Sequence, residues 1–443
     1  MAVREAILDF VDKFSGFKTA GFLKTLRDSE KLSAEEKEAG QWERVKNILD
    51  LAYRNSSFYQ NLFSKAGLHI GEIKNSSDYK KVPIITPLDV IKYRSEIIIG
   101  REDLFIQSAG TNRSFSSKTI IDFNCAAKKY ALYLRHLLKA GWDFDTDIFY
   151  FLPKKYKTKI VDIESGFKQL FSTYIQNKIA HNFLTRRKIL FYDDLNPVID
   201  KKILQNFRAL INSSEKCILM GRAEFLYLLA DNLKERDLEI KTPQSIVNIG
   251  GLLPLVILGR LKFFFKTEVY DIYGSSELSY IAGSRNGEKD LYVNEETHLV
   301  EIEKLEGTDN LGKIIVTDLL NETMPFIRYE VGDVGRILRK NEKGISLLEV
   351  SGRQRNLVLS RDGHLVSEKE ICEAVFADED VLQFCLKIDK DKMLLELVSK
   401  KERVREAAMI GRLGALWVEP VKIAYYKRIP EDFLDKWQYV VRS

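Results

Sequence analysis

Cysteine is scarce: four in 443 residues (Cys125, Cys217, Cys372 and Cys385), none in a C-x-x-C pair. That spacing supports neither a zinc ribbon nor a disulfide framework. It suits thiols used as small buried hydrophobes in a reducing compartment, so the cytoplasm is the expected location. No window approaches the roughly 20 apolar residues a helix needs to span a bilayer, which argues against membrane insertion. The opening stretch "MAVREAILDFVDKFSG" carries acidic residues and no long apolar centre. It reads as an amphipathic helix with Ala6, Ile7, Phe10 and Phe14 inward rather than as a signal peptide. Also missing are G-x-x-x-x-G-K-[ST], a G-x-G-x-x-G after a strand, H-E-x-x-H and G-x-S-x-G. His69, His136, His181, His298 and His364 share no ligand-like spacing and are expected on the surface or in packing roles. Internal repeats and low-complexity tracts are absent as well.

Charge of one sign is not in excess either. Lys+Arg number 69 against 64 Asp+Glu, a net +5, and the two signs are interspersed. With no basic block, nucleic acid is not expected as a partner, whereas a small anionic ligand is compatible. Apolar residues make up 45% of the chain, enough for a globular interior, and its length exceeds one ordinary core. Two or three domains are therefore expected.

What is present is a succession of recognisable elements. In "SAEEKEAGQWERVKNILDLAYR", residues 33–54, Ser33 and Glu36 form a capping box. Trp42, Val45, Leu49 and Ala52 recur on one face, so a helix is predicted. "LYLRHLLKAG" reads as another helix, stopped at Gly141. From about residue 215, "EKCILM", "AEFLYLLADNLKERD", "QSIVNIGG", "RLKFFFKT" and "EVYDIYG" alternate strand-like and helix-like patterns, which predicts α/β units. After about residue 290, short strands predict a β-rich subdomain. "SGRQRNLVLSRDGHLVSEKEI" then reads as an exposed junction. The rest runs helix, hairpin, helix, strand: a compact α+β unit. The expected division is residues 1–351 and 352–443.

Four segments carry residues suited to chemistry. In "IQSAGTNRSF", 106–115, a strand-like lead enters small and hydroxylic residues. Glycine admits a ligand close to the backbone, and hydroxyls and N–H groups can donate to phosphate oxygens. An ordinary polar turn is the competing interpretation. In "KTEVYDIYGSSELSY", 266–280, a strand ends in Gly274, Ser275, Ser276 and Glu277. A carboxylate beside two hydroxyls can hold Mg²⁺ together with substrate phosphates, and Tyr273 offers a flat face to a base. The bland alternative places Glu277 in a first helical turn. In "MPFIRYEVGDVGRI", 324–337, Asp333 can accept both hydroxyls of a ribose, or can simply belong to a Gly-Asp hairpin turn. Lys436, in "IPEDFLDKWQYVVRS", is by itself compatible with a solvated lysine.

In this order the segments resemble the adenylate-forming superfamily of acyl-CoA synthetases, peptide-synthetase adenylation domains and luciferases. The resemblance is to the phenylacetate–CoA ligase branch, with its coenzyme F390 synthetase and capsule-biosynthesis relatives. It extends to "AYRNSSFYQNLFSKAGL" with "DYKKVPIITPLDV", to "NIGGLLP", to "YDIYGSSE", to "GKIIVTDLLNETMPFIRYEVGD" and to the hinge-like "SGRQRNLVLSRDGHLVSEKEI". It covers nearly the whole chain. It implies an α/β fold: a large N-terminal adenylate-forming domain of α/β sheets plus a β-rich subdomain, and a small, mobile α+β C-terminal domain.

The resemblance also implies roles. Ser108, Ala109, Gly110 and Thr111 occupy the phosphate loop. Gly250 and Gly251 with Tyr273 hold adenine, and Gly274 and Ser275 complete that strand end. Ser276 lies near the α-phosphate, Glu277 binds Mg²⁺, and Asp333 takes the ribose hydroxyls with Arg353 nearby. Lys436 bridges carboxylate and α-phosphate. Arg355 or Asn356 stands at the hinge, where relatives commonly carry Asp or Lys. The implied activity is ATP-dependent conversion of a small carboxylic acid to an acyl-adenylate with release of pyrophosphate, then acyl transfer to a thiol, that of CoA. ATP, Mg²⁺ and CoA are the implied cofactors, and a homodimer is a further expectation. Attack by a carboxylate on phosphorus requires positioning and charge neutralisation rather than a general base.

The sequence departs from the pattern in places. Ala109 replaces a hydroxyl, Asn112-Arg113-Ser114 replaces a Thr-Gly-Lys portion, and Asp435 precedes Lys436 where the family has glycine. Two alternatives therefore stand beside the first. One is transfer to a carrier protein, an amine or a protein side chain. The other is a degenerate nucleotide-binding protein without catalysis.

Overall fold

The computed structural model describes residues 12, 18–100, 104–107, 118–154, 185–193, 196–285, 287–306, 308, 311–342, 344–360, 363–389, 392–401, 404–416, 418, 422–428 and 439–442. The expected N-terminal helix (Ala6, Ile7, Phe10, Phe14), the phosphate loop from Ser108 through Thr111, and Lys436 lie outside the described residues. By contacts the chain forms two compact units. One comprises residues 1–139, 272–305 and 310–349, and the other 140–271, 306–309 and 350–443.

The first unit combines helices with antiparallel strands. Its long helix, Ala34–Asn55, starts where the sequence says it should. Glu36 N donates to Ser33 Oγ at 3.2 Å, and Ser33 N donates to the Glu36 carboxylate at 2.8 Å. Val45, Leu49 and Ala52 are buried as the periodicity requires, and Trp42 packs edge-on against Tyr79. A cap of this kind adds about 1 kcal/mol; most of the helix's stability comes from the buried stripe. The strands His298–Lys304, Gly312–Asp318 and Tyr329–Lys340 lie side by side as antiparallel neighbours. Leu291–Val293 and Ser279–Gly283 pair antiparallel, and the latter forms a hairpin with the end of Glu268–Ser275. This is the β-rich texture expected after residue 290.

Arg328 locks two motif segments of this unit together. It is 4% exposed, and its guanidinium donates to the carbonyls of Lys80 and Val82 and pairs with Glu301 at 3.1 Å. Ile85 bridges Tyr329 alongside. The "DYKKVPIITPLDV" stretch is thereby fixed to the "IRYEVGD" strand.

The second unit contains the α/β alternation. Strands Arg187–Tyr192, Asp147–Pro153, Cys217–Gly221 and Ser245–Ile249 are neighbours in that order, all parallel. Helices Lys201–Ser213 and Ala223–Glu235 precede two of these strands in the chain. A buried parallel sheet needs near-continuous apolar strands, and "CILMG" is buried at every position.

The C-terminal elements match the predicted helix, hairpin, helix and strand. They are Glu368–Phe376, the hairpin Val381–Asp389 with Lys392–Ser399, Glu406–Ala415 and Lys422–Tyr425. A further strand, Val440–Arg442, adds parallel to Val381–Asp389. One hydrophobic cluster within the unit includes Phe149, Phe207, Leu226, Ile257, Phe376, Phe384 and Val440. Polar contacts join the same elements: Tyr227 Oη donates to Val381 O at 2.9 Å, and Glu373 accepts from Val256 N at 3.0 Å at the start of helix Leu255–Phe265.

Candidate active site

The motif that ends strand Glu268–Ser275 is built by a close backbone approach. Its register against Ser279–Gly283 is broken between Tyr273 and Gly274. A Cβ at Gly274 would stand 1.9 Å from the carbonyl oxygen of Ser279, so only glycine fits. Ser279 itself adopts φ +65°. Ser276, Glu277 and Leu278 form the connecting turn, in which Ser275 Oγ accepts from Leu278 N at 3.2 Å. The segment is therefore a hairpin tip, not the first turn of a helix. It presents Ser276 exposed and Glu277 half-buried.

Asp333 lies inside strand Tyr329–Lys340, after Gly332, and not at a hairpin turn. It is 6% exposed. Tyr273 Oη donates to Asp333 Oδ2 at 2.9 Å. Two residues that sequence reading assigned to one nucleotide thus meet, although 60 positions separate them. A buried carboxylate held by a phenol is a directed hydrogen-bond acceptor, as recognition of vicinal hydroxyls requires.

In the second unit, Gly250 and Gly251 follow the carboxyl end of strand Ser245–Ile249, the end at which open parallel sheets take ligands. Gly250 has φ +76° and is exposed, a conformation that favours glycine. The turn is pinned by Asn248, which is fully buried. Its amide donates to Gly251 O at 2.8 Å and to Asp271 Oδ1 at 2.7 Å, while its oxygen accepts from Ala223 N at 2.7 Å. Asn248 did not stand out in the sequence, where it reads as one polar residue in a strand. Its place directly before the glycines was the available signal.

Arg353 ends strand Ser346–Arg353 and is half-buried. Its N–H donates to Glu368 Oε2 at 3.2 Å, and Asn356 Nδ2 donates to Glu368 Oε1 at 3.1 Å. Burial raises the Glu368 carboxyl above its ordinary range, and these donors together with the Tyr439 backbone pull the other way. Arg355 is exposed and Asn356 buried.

Among the described residues no group of three or more His, Cys, Asp or Glu forms a metal cage. His136 and His298 are both buried and hydrogen-bonded to protein groups, in the packing role expected of them. Mg²⁺ does not need such a cage. It commonly binds one or two carboxylates plus substrate phosphates and waters. Glu277, half-buried at a hairpin tip with Ser275 and Ser276 beside it, fits that donor set.

The fold matches that of solved adenylate-forming CoA ligases. A crystal structure of 2-hydroxyisobutyryl-CoA ligase in complex with an acyl-AMP superposes with a TM-score of 0.67 at 14% identity, covering 93% of this chain and 90% of that one. No family model matches the chain. Two curated proteins are similar along most of its length. "Protein CapK" of Staphylococcus aureus is 24% identical over 373 residues, covering 81% of this chain and 77% of its own. Phenylacetate–coenzyme A ligase of Aromatoleum evansii is 22% identical over 403 residues, covering 87% and 86%. The resemblance to the phenylacetate–CoA ligase-like branch of the adenylate-forming superfamily is borne out.

Proposed function

We propose that this protein is an AMP-forming acid–thiol ligase: it converts a small carboxylic acid and ATP to an acyl-adenylate and pyrophosphate, then passes the acyl group to the thiol of CoA. The observation that carries this reading is the convergence of Tyr273 and Asp333 beside the hairpin that bears Glu277. A relative named for CoA ligation matches 87% of the chain and supports the same reading.

Asp333, steadied by Tyr273, accepts the ribose hydroxyls. Gly250 and Gly251 leave room for the base against the backbone, and Arg353 lies near the sugar. Ser108, Ala109, Gly110 and Thr111 surround the phosphates, with Gly274 and Ser275 completing the strand end and Ser276 near the α-phosphate. Glu277 would hold a magnesium ion, whose charge would offset that of the phosphates. Lys436, carried by a mobile C-terminal domain of residues 352–443, neutralises the charge that builds as carboxylate oxygen attacks phosphorus. The oxygen–phosphorus bond forms as the bond to pyrophosphate breaks, and no proton needs to move. The thiol sulfur then attacks the acyl carbon, the carbon–oxygen bond breaks so that AMP leaves with the shared oxygen, and the thiol's proton is released to solvent. Buried cysteines suit a cytoplasmic enzyme.

Exchange of labelled pyrophosphate into ATP, run across aryl, fatty and amino acids, tests the first step. Exchange dependent on one acid class and lost in Lys436→Ala is expected. Absence of exchange with every acid would overturn the reading in favour of a non-catalytic nucleotide-binding protein. Adding CoA should then yield a thioester; exchange without it would move the acceptor to a carrier protein, an amine or a side chain.

A further inference from the structure

Lys129 lies on helix Phe123–Lys139, beneath the Ser275–Leu278 turn. It is 4% exposed, an unusual place for an ammonium, and two groups account for it. Its Nζ sits 3.0 Å from Asp318 Oδ2, whose side chain is fully buried, and donates to the backbone carbonyl of Glu277 at 3.2 Å. Asp318 in turn accepts from Leu320 N at 2.8 Å and from Asn321 N at 3.3 Å. The chain from Asp318 to Asp333 therefore starts on the same ion pair that supports Glu277.

The next residue of the turn is held in the same way. His298, fully buried, approaches the Leu278 carbonyl with Nε2 at 3.0 Å. A carbonyl only accepts, so that nitrogen carries the proton. One face of the helix serves this hairpin throughout. Tyr133, one turn beyond Lys129, stacks on Tyr280 with ring centres 5.4 Å apart. His136 contacts Asn294, whose amide donates to Tyr280 O. Positions 129, 133 and 136 follow the i, i+4, i+7 spacing of one helical stripe.

Burying a lysine and an aspartate is costly, and an apolar pair would pack the same space at least as stably. A buried pair of this kind is weak evidence for stability, so its direction matters. The ammonium points at the backbone of the residue proposed to hold the metal. We infer that Lys129, anchored by Asp318, is a positioning residue that fixes the main chain at Glu277 and so aims its carboxylate at the magnesium–nucleotide. The inference rests on the proposed function, in which Glu277 meets the metal. Lys129 touches neither ion nor substrate in this role.

The test is the double variant Lys129→Met with Asp318→Asn. It removes the ammonium without stranding a carboxylate, and the Asn oxygen still accepts from Leu320 N. Titration calorimetry compares ATP binding with Mg²⁺ and with EDTA, and circular dichroism checks the fold. Mg·ATP affinity should fall about tenfold while affinity for metal-free ATP stays unchanged. Equal losses in both arms, or no loss in either, would overturn the inference. Should that variant not fold, Asp318→Asn alone keeps the ammonium but removes its anchor, and should show an about threefold loss confined to the Mg²⁺ arm; equal arms overturn it again. A wild-type protein whose ATP binding ignores Mg²⁺ would sink the metal assignment itself. A metal-dependent wild type with an equally metal-dependent variant would sink only the role of Lys129.

Discussion

The phenol of Tyr273 donates to the Asp333 carboxylate at 2.9 Å, joining the end of one motif strand to the interior of another. The bond gives Asp333 a fixed orientation before any sugar arrives. A hydrogen bond to a charged acceptor is worth about 1.5–3 kcal/mol. Tyr273→Phe should therefore raise the ATP concentration for half-maximal exchange by about tenfold with little change in acid dependence. Asp333→Asn should weaken ATP further. An effect of Tyr273→Phe on acid affinity alone would contradict the assignment.

Gly274 leaves no room for a side chain. Gly274→Ala must displace the Ser279 backbone, and overpacking of this kind costs about 1–3 kcal/mol. Chemical denaturation should show that loss, and exchange activity should fall more steeply than stability because the displaced hairpin carries Glu277.

Asn248 makes three hydrogen bonds from a buried position. Asn248→Ala leaves Ala223 N–H without its acceptor and frees the Gly250–Gly251 turn. A stability loss of about 2–3 kcal/mol is expected, together with weaker ATP binding. Unfolding midpoints and a nucleotide titration measure the two separately.

Acid stability should depend on Glu296. Burial would raise its carboxyl, but the Arg135 guanidinium at 2.9 Å, assisted by the Ser29 hydroxyl, holds it down at about 2. A carboxyl depressed in the folded state stabilises above its unfolded value near 4.5, and that contribution disappears as pH falls toward 2. The contribution is about 3 kcal/mol. In Glu296→Gln, the loss of stability between pH 4.5 and pH 2 should flatten, as read from urea unfolding at each pH.

Much of this was legible in the sequence because local rules were obeyed. The Ser33–Glu36 box sets a helix start, the alternation from Cys217 to Ile249 sets parallel strands, and the tail's helix–hairpin–helix–strand order follows from periodicity. The motifs were legible for another reason: glycine, hydroxyl and carboxylate at a strand end bury poorly and stand out. What could not be read is long-range. Nothing in "NCAAKKYALYL" says which of Lys128 and Lys129 turns inward, since the helix's phase is set by the hairpin it packs on. Lys129 is buried, while Lys128 stays half-exposed near the Phe22 ring. The partnership of Tyr273 with Asp333 depends on strand order. Strand Val440–Arg442 is not legible in the sequence, because three residues carry no period of their own.

The placement of the four cysteines has a chemical consequence. An acyl-adenylate is a potent electrophile, and any thiolate near it competes with the intended acceptor. Here burial pushes the Cys125 and Cys385 thiols up to about 12 and Cys217 up to about 11, with Cys372 raised as well. At neutral pH none is ionised to a meaningful extent, and none is exposed to a diffusing reagent. An enzyme that makes such an electrophile would thus offer it no internal sulfur nucleophile, and escape acylating itself between turnovers.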